Sequence, residues 1–495
     1  EMPEIEQWRS LRIRRLVTDS RQVRAGDTFM AYPGETTDGR RYIGEAVRRG
    51  AASVLWDSGD FRWNPRWRVP NAGIPLLRQH AGDIAAEHFG FPAASMWTVG
   101  VTGTNGKTSC SHWIAQALSR ARRKCGLIGT LGNGFAGKLK PQLNTTPDAV
   151  TLQGSLAGMR RARARAVCME VSSIGLSQDR LAGMRFDVAL LTNLTRDHLD
   201  FHGSMRHYRA AKARLFDWPA LKYAVINADD SFGVELLQRP LKGGAEKIAY
   251  GFGRARARSS LPRVAGSRLR LGPDGLSFDV RSPWGQASVH SPLLGAFNAA
   301  NLLGVLSVLL VSGVALDRAV RLLGTVMPVA GRMTRVGGGG LPLVVVDYAH
   351  TPDALRNALE TLREVLPSRA RLTVVFGCGG NRDRGKRRLM GRVAAELADN
   401  VIVTSDNPRD EEPAAIARDI VAGMRGDVCD TILDRRAAIR EALSRAAPGD
   451  IVLVAGKGHE NYQEVQGQRR RFSDLEVARA LLAKLSSTRP VREAA

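Results

Sequence analysis

Short apolar runs punctuate this chain, and each gives way to glycine, aspartate or asparagine and then to a stretch with helical spacing. Residues 27–32 (DTFMAY) and 52–56 (ASVLW) read as strands flanking a helix over 42–49, and the Phe91-Pro92 pair marks a turn that ends this unit. A second unit opens with a strand at 97–102 (WTVGVT), which runs into a glycine-rich turn and a helix over 108–121. Further strands are predicted at 166–171, 188–192 and 223–227, and this alternation predicts a mostly parallel sheet covered on both faces. Residues 251–290 break the pattern with short alternating runs rich in Gly and Pro, as in an antiparallel appendage, and helices over 296–323 close the unit. The apolar stretch 301–316 is shorter than the ~20 residues of a membrane span, so a buried core helix is expected there. A third unit follows 328–331, with strands at 343–347, 372–376, 401–404 and 451–455. Each leads through a loop into a helix, the layout of an open doubly wound domain with its ligand loops at the strand C-termini.

Composition narrows the class. A length of 495 residues exceeds one hydrophobic core and predicts three domains, at 1–94, 95–330 and 331–495. Five scattered cysteines without CxxC spacing argue against a disulfide framework or structural zinc, and no apolar leader is seen in the first residues, so a cytoplasmic protein is expected. The excess of 72 Lys+Arg over 48 Asp+Glu gives a formal charge of +24, with a local run RRARAR at 160–165. Without a recognition motif or interleaved aromatics this reads as a solvated basic face suited to polyanionic small substrates. Neither a nucleic acid nor a membrane is expected as a partner, and the chain is expected to act as a monomer.

The sharpest chemistry lies at 99–109, VGVTGTNGKTS. A strand, a glycine-rich turn and Lys-Thr at a helix start gather backbone N–H groups around phosphates. In this reading Gly103, Thr104, Asn105, Gly106 and Ser109 form the cradle, Lys107 neutralises the phosphates and the Thr108 hydroxyl faces Mg²⁺. The generic phosphate-loop pattern wants glycine at 101, where this chain has Val101. The fold class is therefore α/β, with three domains, a central P-loop mononucleotide-binding parallel sheet and a C-terminal Rossmann-like domain.

The string GTNGKTS is narrower than a generic phosphate loop and resembles that of the Mur ligases and their folylpolyglutamate synthetase relatives, which form amides through acyl phosphates. The resemblance extends over nearly the whole chain and fits best the members that add diaminopimelate to a UDP-N-acetylmuramoyl dipeptide. It implies ATP and Mg²⁺ as cofactors and ATP, the UDP-muramoyl dipeptide and meso-diaminopimelate as small-molecule partners. In the first unit TDSR (18–21) and DGRRYI (38–43), which alone would read as polar turns, imply a uridine-nucleotide site with Ser20, Asp38 and Gly39. The 34–36 loop (GET) departs from the family there. In the second unit NTTP (144–147) implies that Asn144, Thr145 and Thr146 hold the muramoyl-peptide end, with Ser172, Gln178 and Arg180 on substrate carboxylates. Glu170, in EVSS, is implied as a metal ligand, and Ile174 stands where the family carries histidine.

NLTRDHLDFHG (193–203) is a specific family string, in which His198 is implied as an Mg²⁺ ligand and His202 as structural; no glutamate lies between them as in HExxH. Lys212, in HYRAAK, is implied to be carbamylated (N6-carboxylysine) and to help hold a second Mg²⁺. Lys107, Glu170, His198 and Lys212 are thus the implied catalytic set, and Asn298, Asn301, Arg332 and Asp347 the remaining nucleotide contacts. In the third unit DNPR (406–409), GKGHE (456–460) and GCGGNRDRGKRR (377–388) all follow predicted strands, so they converge on one cleft. Binding the far end of a diamino dicarboxylate needs acidic acceptors and a guanidinium. Arg387, Asp406, Asn407, Pro408, Arg409, Gly456 and Glu460 supply that mixture, and DNPR implies the diaminopimelate type. Two alternatives stay open: a folylpolyglutamate synthetase-like ligase, and a nucleic-acid-binding P-loop ATPase.

Overall fold

The computed structural model describes residues 7–35, 37–142, 144–253, 261–272, 275–424 and 429–488. Its strands fall into three main sheets that follow one another along the chain. The first has four parallel strands, Leu16–Val17, Thr28–Ala31, Ser53–Asp57 and Asn71–Ile74, in sequential order. Helix Ile43–Arg48 sits between the second and third of these in the chain, and helix Leu77–His88 follows the fourth.

The second sheet has eleven strands, with Trp97–Thr102 near its middle between Val188–Leu191 and Ala166–Glu170. The apolar runs that predicted these strands are buried throughout: Val99, Val101, Ala166, Cys168, Val188 and Leu190 belong to one core. Helix Lys107–Arg120 packs against helix Ala296–Val311, whose apolar residues are buried on all sides, as the sequence predicted. Among the described residues no helix is long and apolar enough to cross a membrane. Strands Arg263–Gly272, Gly275–Ser282 and Gly285–Ser291 pair antiparallel with one another, but the first runs parallel to Glu246–Gly251. The predicted appendage is therefore an extension of the central sheet; its residues 254–260 and 273–274 lie outside the described residues. On the opposite edge, strands Gly132–Phe135 and Lys138–Lys140 form an antiparallel border that the sequence reading did not anticipate, being rich in Gly and Lys.

The third sheet orders its parallel strands as Leu343–Asp347, Ile451–Ala455, Leu372–Phe376, Asn400–Val403 and Cys429–Thr431. Strand Thr334–Gly337 runs antiparallel at the edge. The register pairs Asp347 with Ala455 and Phe376 with Val403, so the loops after four strands leave the sheet at one level. The register of the central sheet does the same for the phosphate loop, pairing Val101 with Glu170 and Thr102 with Leu191.

The first and second units meet where helix Leu77–His88 approaches the 181–184 turn so closely that a Cβ at Gly82 would stand 2.0 Å from the Ala182 carbonyl oxygen. A Gly82→Leu substitution is expected to force these units apart and to cost about 1–3 kcal/mol, the usual penalty for overpacking, measured by urea denaturation.

Candidate functional site

The phosphate loop forms because two of its glycines stand where no other residue fits. Gly103 has φ +152° and a Cβ there would lie 1.9 Å from Thr192 Oγ1; Gly106, at φ +84°, caps the helix and lies against Asn301 Oδ1. The loop is pinned to the 192–195 segment: Thr104 N–H donates to Asn193 O (2.9 Å), and Asn105 N–H to Asn193 Oδ1 (2.9 Å). Lys107 folds back so that Nζ donates to Gly103 O and Thr104 O, both at 2.8 Å. Lys212, on helix Met205–Ala213, is buried and donates to the same Gly103 oxygen at 2.8 Å. Two ammonium groups therefore share one carbonyl. Burial lowers the pKa of both, and for Lys212 the nearby charge of Lys107 lowers it further, well below the usual lysine range.

Glu170, at the end of its strand and 1% exposed, is enclosed by hydroxyls. Thr108 Oγ1 donates to it at 2.9 Å, Thr130 Oγ1 at 3.0 Å and Thr130 N–H at 2.8 Å. Thr130 Oγ1 also lies 3.1 Å from Thr145 Oγ1, so a chain of hydroxyls connects the phosphate loop to the NTTP segment. There Thr146 Oγ1 donates to Glu170 O (3.0 Å) and accepts from Ser172 N–H (3.0 Å), while Arg180 donates to Thr146 O (2.8 Å) and Gln178 Oε1 (2.5 Å). Asn144 is exposed. Thr130 was not among the sequence candidates; its position after strand Cys125–Gly129 becomes visible only once that strand is placed.

His198 takes a left-handed conformation (φ +53°) and lies 3.5 Å from the buried Asp197 carboxylate. The same carboxylate faces His350 Nε2 at 3.6 Å and Lys386 Nζ at 3.7 Å, both from the third unit. Burial works against the Asp197 anion, but His350, His198 and Lys386 around it hold its pKa well below the usual range. Burial pushes His198 down to about 4, with Lys107 and Lys212 adding to the effect and Asp197 opposing it. Asp197 and Lys386 lie inside the NLTRDHLDFHG and GCGGNRDRGKRR strings and His350 three residues after Asp347, yet only the fold shows that they meet. His202 Nε2 lies 2.9 Å from Ser173 Oγ.

Asn298, Asn301, Arg332 and Asp347 come together with Asn105, Gly106 and Ser109 around a cavity of about 110 Å³ between the phosphate loop and the third sheet. Arg332 donates to Thr108 Oγ1 (3.3 Å), and Asp347 accepts from Met333 N–H (2.7 Å). Burial raises the Asp347 pKa, with Arg332 opposing. The third unit also touches the loop directly: Asn105 Nδ2 donates to Asp353 (3.0 Å), and Arg196 makes a two-pronged pair with Asp383 at 3.0 and 3.1 Å.

The three loops of the third sheet do converge. Asn407 donates to Glu460 (2.8 Å) and accepts from Lys457 (3.0 Å), a fully buried lysine that also reaches Glu460 (3.0 Å) and was not singled out from the sequence. Gly456, at φ +112°, stands against the Asp406 carboxylate, and Arg409 donates to Gly380 O (2.7 Å). Arg387 differs from its expected role. It is 1% exposed and forms ion pairs with Glu411 (2.9 and 3.0 Å) and Asp419 (2.9 Å), so its guanidinium supports the loop from within. The exposed arginine beside Arg409 is Arg382: a Cβ on Gly379 would touch both side chains.

In the first unit Ser20 is buried beside Glu45 (3.4 Å), and Asp38 is engaged by Arg40 (2.8 Å) while capping the turn that begins at Gly39. Thr36 lies outside the described residues. Among the described residues the cysteines are all free, and no group of three or more His, Cys, Asp or Glu is gathered closely enough to hold a metal by itself.

A phosphate loop pinned to a second nucleotide-facing segment, roofed by a Rossmann-like third unit, defines the fold of an ATP-dependent ligase. The chain belongs to the Mur ligase family: residues 12–88 match the family's catalytic domain, 101–309 its middle domain and 331–458 its glutamate ligase domain. It is 50% identical over 481 residues to the UDP-N-acetylmuramoyl-L-alanyl-D-glutamate–2,6-diaminopimelate ligase of Chromobacterium violaceum, covering 97% of this chain and 96% of that one. A solved structure of a ligase with the same description is 36% identical, with a TM-score of 0.68 over 97% of this chain and 96% of the other. A folylpolyglutamate synthase of Mycobacterium tuberculosis shares the fold (TM-score 0.64, covering 83% of this chain and 95% of that one) at 20% identity.

Beneath the converging loops lies a buried ion pair. Arg435 and Asp474, both 0% exposed, bond at 2.7 Å through two prongs, and Arg435 also donates to Ala455 O (2.9 Å) and Ser405 O (3.3 Å), the residues just before Gly456 and Asp406. Asp474→Asn is expected to cost about 3–5 kcal/mol in urea denaturation, because it strands a buried guanidinium; pairing Arg435→Met with Asp474→Leu is expected to recover most of that stability.

Proposed function

We propose that this chain adds meso-diaminopimelate to UDP-N-acetylmuramoyl-L-alanyl-D-glutamate at the expense of ATP, in the making of peptidoglycan precursor for the cell wall. The observation that carries this reading is 50% identity, across 97% of the chain, to a ligase of that description. The γ-phosphoryl group of ATP passes to the D-glutamyl side-chain carboxylate, giving an acyl phosphate and ADP. The diaminopimelate amine then attacks the acyl carbon, loses a proton and expels inorganic phosphate, leaving the amide.

The residues divide this work by position. Lys107 and the loop N–H groups of Gly103 to Ser109 hold the phosphates, with Arg332 reaching over from the third unit. Asn298, Asn301 and Asp347 line the cavity for adenine and ribose. Hard oxygens of Thr108 and Glu170 stand at the phosphate loop with His198 nearby, a donor set that suits Mg²⁺. Mg²⁺ bound there offsets the charge of the triphosphate and the incoming carboxylate. Burial and the neighbouring Lys107 charge drive the Lys212 pKa well down, which favours the neutral amine that takes up CO₂, and as the carbamate Lys212 would add a carboxylate to that set. Thr145, Thr146, Ser172, Gln178 and Arg180 receive the dipeptide end, and the first unit, with Ser20, Asp38 and Gly39, receives the uridine nucleotide. Asn407, Glu460, Asp406, Gly456 and Arg409 form the amino-acid pocket, with Arg382 taking the place expected of Arg387. Boundaries at 94/95 and 330/331 separate these tasks, and the reaction runs in the cytoplasm on a monomer.

A lysine substrate would leave the pocket's guanidinium without a carboxylate, which penalises it strongly. Phosphate release from ATP with the UDP-muramoyl dipeptide is therefore expected with meso-diaminopimelate and not with L-lysine, and Lys107→Ala is expected to abolish it. Preference for lysine would overturn the reading of the pocket, and turnover by Lys107→Ala the reading of the loop. Arg382→Ala is expected to raise KM for diaminopimelate at least tenfold with little loss of stability, whereas Arg387→Ala lowers the melting temperature.

A further inference from the structure

Eight exposed cations of the central unit lie at one pole. Helix Lys107–Arg120 ends there in Arg120, followed by Arg122 and Lys124; helix Ala149–Arg161 ends there in Arg161, followed by Arg163 and Arg165. All six are exposed. The two turns are stitched together: Lys124 Nζ donates to Ala162 O (2.7 Å), and Arg165 N–H to Lys124 O (2.8 Å). Arg318 joins them by donating to Arg120 O (3.4 Å), and Arg318 and Arg321 share a groove with Arg120. Among the described residues none of these eight makes an ion pair, and only one carboxylate, Asp317, occurs in the segments 118–126, 158–168 and 312–325 that carry them. The +24 charge read from the sequence is thus partly concentrated on one face.

That face is the far end of the catalytic sheet. Strand Trp97–Thr102 begins at Arg165, whose carbonyl accepts from Trp97 N–H (3.0 Å), and ends at the phosphate loop, about 20 Å away for a strand of this length. One large apolar side chain stands exposed at its margin. Phe91 is 56% exposed and follows Phe89 and Gly90, whose carbonyls accept from Arg160 at 2.8 and 2.6 Å.

We propose that this pole is a peripheral docking face for an anionic lipid surface, on which the protein rests without crossing it. Clusters of about four to eight Lys and Arg bind acidic headgroups, and apolar side chains beside them insert at the interface. A single-stranded nucleic acid would use a row of open stacking aromatics; Trp97 and Phe135 at this pole are part-buried, and their rings are already covered by Arg123 and Lys222 and by Lys124. Resting on this face leaves the nucleotide cavity and the amino-acid loops turned to solvent, so docking is compatible with turnover. The sequence alone spread the charge along the chain and gave no reason to expect a membrane partner; the fold brings distant arginines together.

The test is co-sedimentation of the full chain with phosphatidylcholine vesicles, and with vesicles in which part of the lipid is phosphatidylglycerol, alongside a duplex DNA fragment. Binding is expected to the mixed vesicles only and to weaken as salt rises. Arg161→Gln, Arg163→Gln and Arg165→Gln together are expected to lower it at least tenfold, with phosphate release in solution and the melting temperature unchanged. Phe91→Ser is expected to weaken vesicle binding while leaving any DNA binding as it was. Equal binding to neutral vesicles, no binding at physiological salt, or DNA binding tighter than vesicle binding would each overturn the proposal. Because the vesicle measurement needs no substrate, its outcome is separate from that of the amino-acid assay.

Discussion

Two lysine ammonium groups cannot both stay charged on one carbonyl oxygen without strong compensation. Lys107 and Lys212 reach Gly103 O at the same 2.8 Å, in a pocket whose nearest anions, Glu170 and Asp197, are already held by other groups. Much of the site can be understood as an answer to that constraint. Lys107 belongs to a loop made for phosphates, whose negative charge suits it. For Lys212, burial and the Lys107 charge both favour the neutral amine over the ammonium. The two residues lie far apart in the chain, so the constraint exists only in the folded protein.

Much of the fold was legible because its strands are buried on both faces and so read as continuous apolar runs. Strands Trp97–Thr102, Tyr223–Asn227, Leu343–Asp347, Leu372–Phe376 and Ile451–Ala455 stand where those runs predicted. The strands that escaped, such as Gly132–Phe135 and Lys138–Lys140 at the border of the central sheet and the separate Tyr462–Val465 with Gln468–Arg471 hairpin, are short and carry polar or glycine residues, so they have no apolar period to betray them. The site was legible where it follows a strand in a short motif. It was illegible where side chains from separate motifs meet, as at Asp197, Thr130 and Lys457. The choice of Arg387 over Arg382 shows the same limit: a string with several arginines does not say which is spent on neighbouring carboxylates and which faces outward.

The third unit is bound into the nucleotide site as well as into the amino-acid pocket. Asn105 to Asp353 and Arg196 to Asp383 join it to the phosphate loop and its neighbour, and Arg332 reaches Thr108 from just beyond the boundary. These contacts close the third unit down over the phosphate loop. Closure of this kind excludes water from an acyl phosphate that water would otherwise hydrolyse.

The connection between the second and third units runs directly over the GKGHE loop: a Cβ at Gly331 would stand 2.2 Å from the His459 nitrogen. A tether usually lets two modules evolve independently, but this one is wedged against the pocket it leads to. Exchanging the third unit among relatives to change the amino acid would therefore transplant a misfit unless residues 328–333 travelled with it. The piece that packs as one body is larger than the visible third domain.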